Sequence, residues 1–276
     1  MTCNLLVVTK GHPYDHNAFH GLIDAIPDVV ATFVEHPAAQ AVLRPENLSG
    51  YDAVLFYDMQ GIPMGPDGLA SAQPPADYVR SIEALLERGV GLVLLNHALV
   101  QWPLWPLWRE ITGSTFQLTQ SQVGGRLAPG SGYRGGAGQP DRNATHRLSP
   151  IGAPHPVTHG LEAGFEITDE IYLRTPLAVT PDTVPLLASD YTFTQANFSP
   201  PPLASMAEQD AWTHEDGDNV IVWARRVRNS PVVASEAGDG PAAYENPGFR
   251  RLLANAIQWV ASDEARAWAR NRPAAE

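Results

Sequence analysis

"PPADYVRSIEALLERGVGLVLLNHA", residues 74–98, decides the fold. Val79, Ile82, Leu85 and Leu86 recur at helical spacing and the pattern stops at Gly89, a residue suited to a left-handed helix cap. The apolar run Gly91 to Leu95 follows at once and lacks the polar alternation of a strand with one wet face. Before it stands a similar run, "YDAVLFYD" (51–58), so the three segments make one strand, helix, strand crossover. Strands apolar on both faces belong to a parallel sheet covered by helices on both sides. Outward from this unit, "NLLVVT" (4–9) and "VVATFVEH" (29–36) read as two earlier strands. Near the other end, "NVIVWARRV", a turn at "RNS" and "PVVASEAG" add two more. The last long helix has Asn246 as N-cap, Pro247 as first residue, and Phe249, Leu252, Leu253, Ala256, Ile257 and Val260 as its buried stripe. The expectation is an α/β protein with a mostly parallel sheet.

A chain of 276 residues, 44% of them apolar, can bury a full core, and no linker or repeat divides it, so one domain over 1–276 is expected. Residues 124–145, "GGRLAPGSGYRGGAGQPDRNAT", hold seven glycines and read as a long irregular loop that covers or borders a site. The net charge of -12, with Lys10 the only lysine, excludes nucleic acid and anionic membrane surfaces as partners. Cys3 is the only cysteine, which excludes internal disulfides, thiolate zinc clusters and Cys-x-x-Cys redox pairs; it reads as a small buried strand residue. No signal-peptide pattern and no membrane-length apolar run is present, and a cytoplasmic protein is expected.

In open parallel sheets, ligands bind outside the carboxyl ends of the strands. His12, Asp15 and His16 follow the first strand, Tyr57 and Asp58 end the third, Asn96 and His97 end the fourth, and Glu236 and Asp239 follow the last. In "TKGHPYDHNAFHGLIDAI" (9–26), Asp15 or His16 is expected to cap a helix that buries Phe19, Leu22, Ile23 and Ile26. His12 and Tyr14 then face the crevice, and His20 is solvated. "LVLLNHALVQW" has the strand, sharp turn, helix pattern on which hydrolases and amidotransferases of this architecture mount a nucleophile, but it holds neither cysteine nor serine there. An acyl-enzyme route is thereby excluded. His97 is left as a general base, a metal ligand, a transition-state donor or a helix cap. His12, His97 and Asp239 are the metal candidates, a nitrogen and oxygen set suited to zinc, manganese or iron. Of the three tryptophans in "QWPLWPLW", Trp102 is the candidate to stack on a sugar ring, and Trp105 and Trp108 read as core.

"HPVTHGL" with "FEITDEIYL", and "PVVASEAGDGPAAYENPGFRRLLANAIQWVA", resemble signature segments of the ThuA-like (trehalose utilization) family. "RGVGLVLLNHALVQWPLWPLWREITG" and "GHPYDHNAF" are similar to further segments, so the resemblance covers nearly the whole chain. It implies the class I glutamine amidotransferase-like fold, a flavodoxin-like three-layer sandwich, without the amidotransferase nucleophile. It also implies catabolism of a disaccharide, glycoside or keto-sugar by hydrolysis, elimination or isomerisation, through acid-base or metal-assisted chemistry. The alternative is a non-catalytic sugar-binding or accessory protein on the same scaffold. His155, Asp169, Glu170 and Tyr172 match the family's segments and are carried over as site or site-supporting positions, with turn and cap roles as the alternative and a structural role favoured for Tyr172. Many members of the family have Gly-His where this chain has Gly238-Asp239. The reading names His97, Asp239 and Glu236 as catalytic. Binding falls to His12, Tyr14, Tyr57, Asp58, Trp102, His155, Asp169, Glu170 and Tyr244. The expected partner is a small carbohydrate-type ligand, with self-association into a homo-oligomer left open.

Overall fold

In the computed structural model, residues 2–62, 64–65, 68–69, 71–123, 125–134, 142–201 and 205–271 are described. Nine strands form the main sheet: β1 (Cys3–Lys10), β2 (Val29–Glu35), β3 (Ala53–Asp58), β4 (Gly91–Leu95), β5 (Asn143–Pro150), β6 (Phe165–Glu170), β7 (Thr183–Ser189), β8 (Val220–Val227) and β9 (Ser230–Ser235). Their spatial order is β6-β5-β7-β8-β9-β4-β3-β1-β2. The run β2-β1-β3-β4-β9 is parallel throughout, and its order 2-1-3-4-5 is that of flavodoxin. The remaining pairs, β9-β8, β8-β7, β7-β5 and β5-β6, are antiparallel, so β7 and β6 point the same way as the parallel half and only β8 and β5 oppose it.

Among the described residues, eight helices accompany the sheet: α1 (His16–Asp24), α2 (Ala38–Val42), α3 (Ala76–Arg88), α4 (Pro106–Thr112), α5 (Met206–Asp210), α6 (Pro241–Tyr244), α7 (Pro247–Val260) and α8 (Asp263–Arg270). Leu5 and Val7 of β1 pack with Phe19, Leu22 and Ile23 of α1 and with the stripe of α7. Leu6 and Val8 pack with Ile82, Leu85 and Leu86 of α3 and Trp108 of α4. Successive strand residues are thus buried on opposite faces, which is why β1, β3 and β4 show no polar alternation. Each fully buried leucine or isoleucine contributes roughly 2 kcal/mol of transfer free energy. Gly89 closes α3 at φ 77°, a left-handed conformation that costs glycine no side-chain clash.

Two expectations need correction. The glycine-rich stretch 124–145 is not irregular to its end: Asn143, Ala144 and Thr145 already pair in the sheet with Glu170, Asp169 and Thr168. From there Ala144, His146 and Leu148 alternate inward, a period of two that the preceding glycines obscure in the sequence. Within the same stretch Arg126–Ala128 pairs with Ser121–Val123, and Gly132–Tyr133 with Tyr172–Leu173; residues 124 and 135–141 lie outside the described set. His20 is not simply solvated, since its ring stacks on Phe33 at 3.7 Å between centroids. Among the described residues, no helix is long and apolar enough to cross a membrane.

Candidate active site

The sharp turn after β4 is present, and its strained residue is Asn96, at φ 44°, one position before His97. Asn96 is fully buried and its Nδ2 donates to the Glu236 carbonyl oxygen (2.7 Å), tying the end of β4 to the end of β9. That bond aims the next residue, His97, out over the sheet edge. The His97 ring stacks on His12 from the loop after β1, with centroids 4.0 Å apart. Asp15 caps α1 by accepting from the Ala18 N–H (2.9 Å), which leaves His12 and Tyr14 on the approach loop. Tyr14 stands beside His12 and Tyr57, at 5.6 and 5.4 Å between ring centroids.

Opposite His97 lie two carboxylates from different elements, Asp239 after β9 and Glu170 at the end of β6. One ligand atom from each of His97, Glu170 and Asp239 lies within 4.8 Å of the other two, and His97 Nδ1 is 3.5 Å from Asp239 Oδ1. The Asp239 segment is held at both ends by its backbone. Asp169 Oδ2 accepts from the Gly238 N–H (2.5 Å), and its Oδ1 accepts from the N–H groups of Asp239 (3.2 Å) and Glu170 (3.0 Å). The Tyr57 and Tyr244 hydroxyls lie 2.8 and 2.9 Å from the Asp239 carbonyl oxygen and 2.6 Å from each other, so two protons serve three contacts. Gly238, at φ 117°, allows the close approach: a Cβ there would sit 2.6 Å from Leu95 Cδ1 and 2.8 Å from Phe249 Cζ.

Burial sets the protonation of the cluster. It pushes Asp239 up to about 7, with the Glu170 charge adding and Arg142 opposing. Glu170 is raised by burial against the pull of the Tyr172 hydroxyl, which donates to its Oε2, and of Arg142. Asp169 is pushed by burial up to about 8 in spite of its backbone donors. His97 is held well below the ordinary imidazole range by burial, then by His12 and Arg142, so at neutral pH it presents a neutral ring. Its Nδ1 is buried and, among the described residues, has no hydrogen-bond partner. The site therefore gathers a neutral imidazole and two carboxyls that exchange protons near neutrality, a set able to bind a cation or to move a proton.

Of the sequence candidates, His12, Tyr14, Tyr57, His97, Asp169, Glu170, Asp239 and Tyr244 meet here, and four others do not. Glu236, expected to be catalytic, is 1% exposed with both oxygens engaged, Oε1 by the Tyr172 N–H and Oε2 by Arg174 Nε, each at 2.8 Å. Asp58 points to the other face of the sheet, where it meets His36 and Gln101, because consecutive strand residues cannot share a face. Trp102 lies on that same face against Tyr78, not beside His97. His155 accepts from the Val157 N–H (3.2 Å), packs edge-on against Trp259, and borders a separate cavity of about 720 Å³ beside α7. His12, a metal candidate, has each ring nitrogen 3.2 Å from a carbonyl oxygen, of Pro13 and Tyr57, while Glu170 takes the place expected of it. Tyr57 and Tyr244, 0% and 1% exposed, hold Asp239 and offer a ligand almost no surface. Sequence reasoning missed Arg142, 3.9 Å from Glu170 and over the Tyr133 ring, and Arg174, which binds Glu236 and Asp218. The "DEIYLR" run was the only local signal for Arg174.

A sheet of flavodoxin order with a strained turn at the end of β4, held by Asn96 and followed by His97, is a flavodoxin-like α/β scaffold. The chain belongs to the ThuA family, described as trehalose utilisation, whose model matches residues 4–260. No curated protein matches it. Among solved structures it is similar to a ThuA-like protein from Parabacteroides merdae, at 16% identity and TM-score 0.64 over 95% of this chain and 91% of that one. It is similar also to a ThuA-like protein from Bacteroides uniformis, at 18% identity and TM-score 0.62 over 95% and 92%. A GMP synthase component from Thermoplasma acidophilum matches at 11% identity and TM-score 0.49 over 94% of each chain.

Proposed function

We propose that the protein is an enzyme of sugar catabolism, acting on a disaccharide, glycoside or keto-sugar at the cluster of His97, Glu170 and Asp239 by acid-base chemistry assisted by a divalent cation. The observation that carries this reading is the convergence of one imidazole and two carboxylates, from three strand ends, within 4.8 Å. The donors fit such a cation. His97 Nδ1 is a buried imidazole nitrogen without a hydrogen-bond partner among the described residues, and the two carboxylates burden each other with like charge that a cation would relieve. A nitrogen and two oxygens suit zinc, manganese or iron and leave coordination positions for substrate. When bound, the cation supplies Lewis-acid polarisation of a substrate oxygen. Asp239, which exchanges its proton near neutrality while the cation is absent, would give that proton up on taking the cation, and Arg142 keeps the carboxyl pair from holding protons more tightly. The family's link to trehalose utilisation supports a sugar as substrate.

The test is metal analysis of protein purified without chelator, alongside His97→Ala and Glu170→Ala, followed by assays of new reducing ends or altered keto groups across a panel of disaccharides, glycosides and keto-sugars. Stoichiometric metal in wild type, lost in both variants together with turnover, supports the reading. Equal trace metal in all three and sugar binding without turnover would leave the accessory role instead.

A further inference from the structure

Asp58 and Trp102, which the main site does not use, meet on the far face of the sheet. A cavity of about 520 Å³ opens there between the loops that follow β1, β2 and β3, bordered by Lys10, His36, Gln40, Gln60, Gln73 and Trp102. No residue of the His97 cluster borders it. Its place is at the carboxyl ends of the strands, where the strand order turns back between β1 and β3, the position at which sheets of this order bind ligands.

The wall is polar where it is most buried. His36 and Trp102 are 4% and 5% exposed; the Trp102 indole stands against the Tyr78 hydroxyl, and among the described residues His36 Nδ1 has no hydrogen-bond partner. Behind them Gln101 Oε1 is likewise buried without a partner among the described residues. Natural proteins leave few such groups unpaired, and a buried imidazole nitrogen without a partner on the wall of a cavity points to a hydrogen-bonding occupant. The charges are matched within the protein: His36 Nε2 lies 3.0 Å from Asp58 Oδ2, and Lys10 Nζ 3.6 Å from Glu35. Three glutamine amides stand at the rim, of which Gln60 and Gln73 each give one N–H to a backbone carbonyl, of Lys10 and Leu104; with these amides and with Lys10 and His36 paired among the described residues, the walls suit hydroxyl groups better than an ion. Gly61, at φ 77°, packs on one side of the Trp102 ring so closely that a Cβ would lie 2.6 Å from Cε3, which fixes the indole edge.

We propose that this cavity is a second binding site, separate from the His97 cluster, for a neutral polyhydroxy molecule of monosaccharide size. The cavity volume lies within the ordinary range of small-molecule sites.

The test uses indole N–H resonances of the full chain, with Trp102→Phe identifying the Trp102 signal among the seven tryptophans. D-glucose is titrated to about 50 mM, a range matched to millimolar affinity. The expected result is a saturable shift of the Trp102 signal in wild type and equally in His97→Ala, with D-glucuronate much weaker. Calorimetry on Gln60→Ala, which removes one rim amide, is expected to show glucose affinity about tenfold lower. A Trp102 signal unmoved by glucose, a shift abolished by His97→Ala, or Gln60→Ala binding as wild type would each overturn the proposal. None of these results bears on whether the His97 cluster holds metal.

Discussion

Glu236→Gln separates a holding residue from a catalytic one. In the native protein Arg174 Nε donates to Glu236 Oε2, and the guanidinium also reaches Asp218 at 3.0 and 3.2 Å. Burial works against the Arg174 charge, but the two carboxylates outweigh it and raise its pKa. The glutamine keeps one oxygen for either the Tyr172 N–H or Arg174 and turns an amide N–H toward the other donor. Breaking a buried ion pair costs about 3–5 kcal/mol. Asp218 still pairs Arg174, so the lower end applies, about 3 kcal/mol, of which a charge-assisted hydrogen bond supplies roughly half or more. Urea unfolding with unchanged slope is expected to give that loss, and the thermal midpoint to fall by roughly 6–12 °C. Below the transition, metal affinity should stay within about threefold of wild type, because neither Glu236 oxygen belongs to the cluster. Stability within about 0.5 kcal/mol of wild type, joined to loss of turnover, would refute the assignment and return Glu236 to the reacting centre.

Zinc or manganese affinity should fall as pH drops through about 7, where Asp239 takes up its proton, and Glu170→Gln should weaken it at least ~100-fold; competition titrations at several pH values read both. Arg142→Ala, at an exposed side chain, should change stability by less than about 0.5 kcal/mol while raising the pKa of Asp239, Glu170 and His97, followed by carboxyl and imidazole NMR titration. Asp169 holds a proton in the folded state up to about 8 but loses it near 3.8 when unfolded, so its contribution to stability is full below about pH 4 and is lost as pH rises toward 8. Unfolding free energies measured from pH 4 to 8 should carry that falling component in wild type and lack it in Asp169→Asn.

The parallel half of the sheet was legible because its strands are continuous apolar runs and because α1, α3 and α7, which come after β1, β3 and β9, carry apolar stripes; both signals are local. Of the antiparallel half only β8, joined to β9 by a short turn, was legible; β5 and β7 pair across long intervals, with Leu148 opposite Ser189 and Thr183 opposite Arg225. Their partners are chosen by packing that no short window contains. At the site, His97 and Asp239 were found because strand ends converge in this fold. Asp58 was placed wrongly although the remedy was in reach: Tyr57 and Asp58 are consecutive in β3, and a period of two sends them to opposite faces. The Glu236 carboxylate could not be recognised as engaged, because Arg174 stands 62 positions away and only the folded chain brings them together. Trp102 showed the flat ring of a sugar-stacking residue, but the turn that carries it runs to the α3 face.

The grip on residue 239 has a consequence of its own. Among the described residues, the hydrogen bonds that fix this position engage its main-chain atoms, the N–H through Asp169 and the carbonyl through Tyr57 and Tyr244, while the Asp239 carboxylate only faces His97. The mount is therefore indifferent to what it carries. An aspartate or a histidine could sit on it without rebuilding the loop, so the chemistry of the site can drift by single substitutions while its geometry stays put.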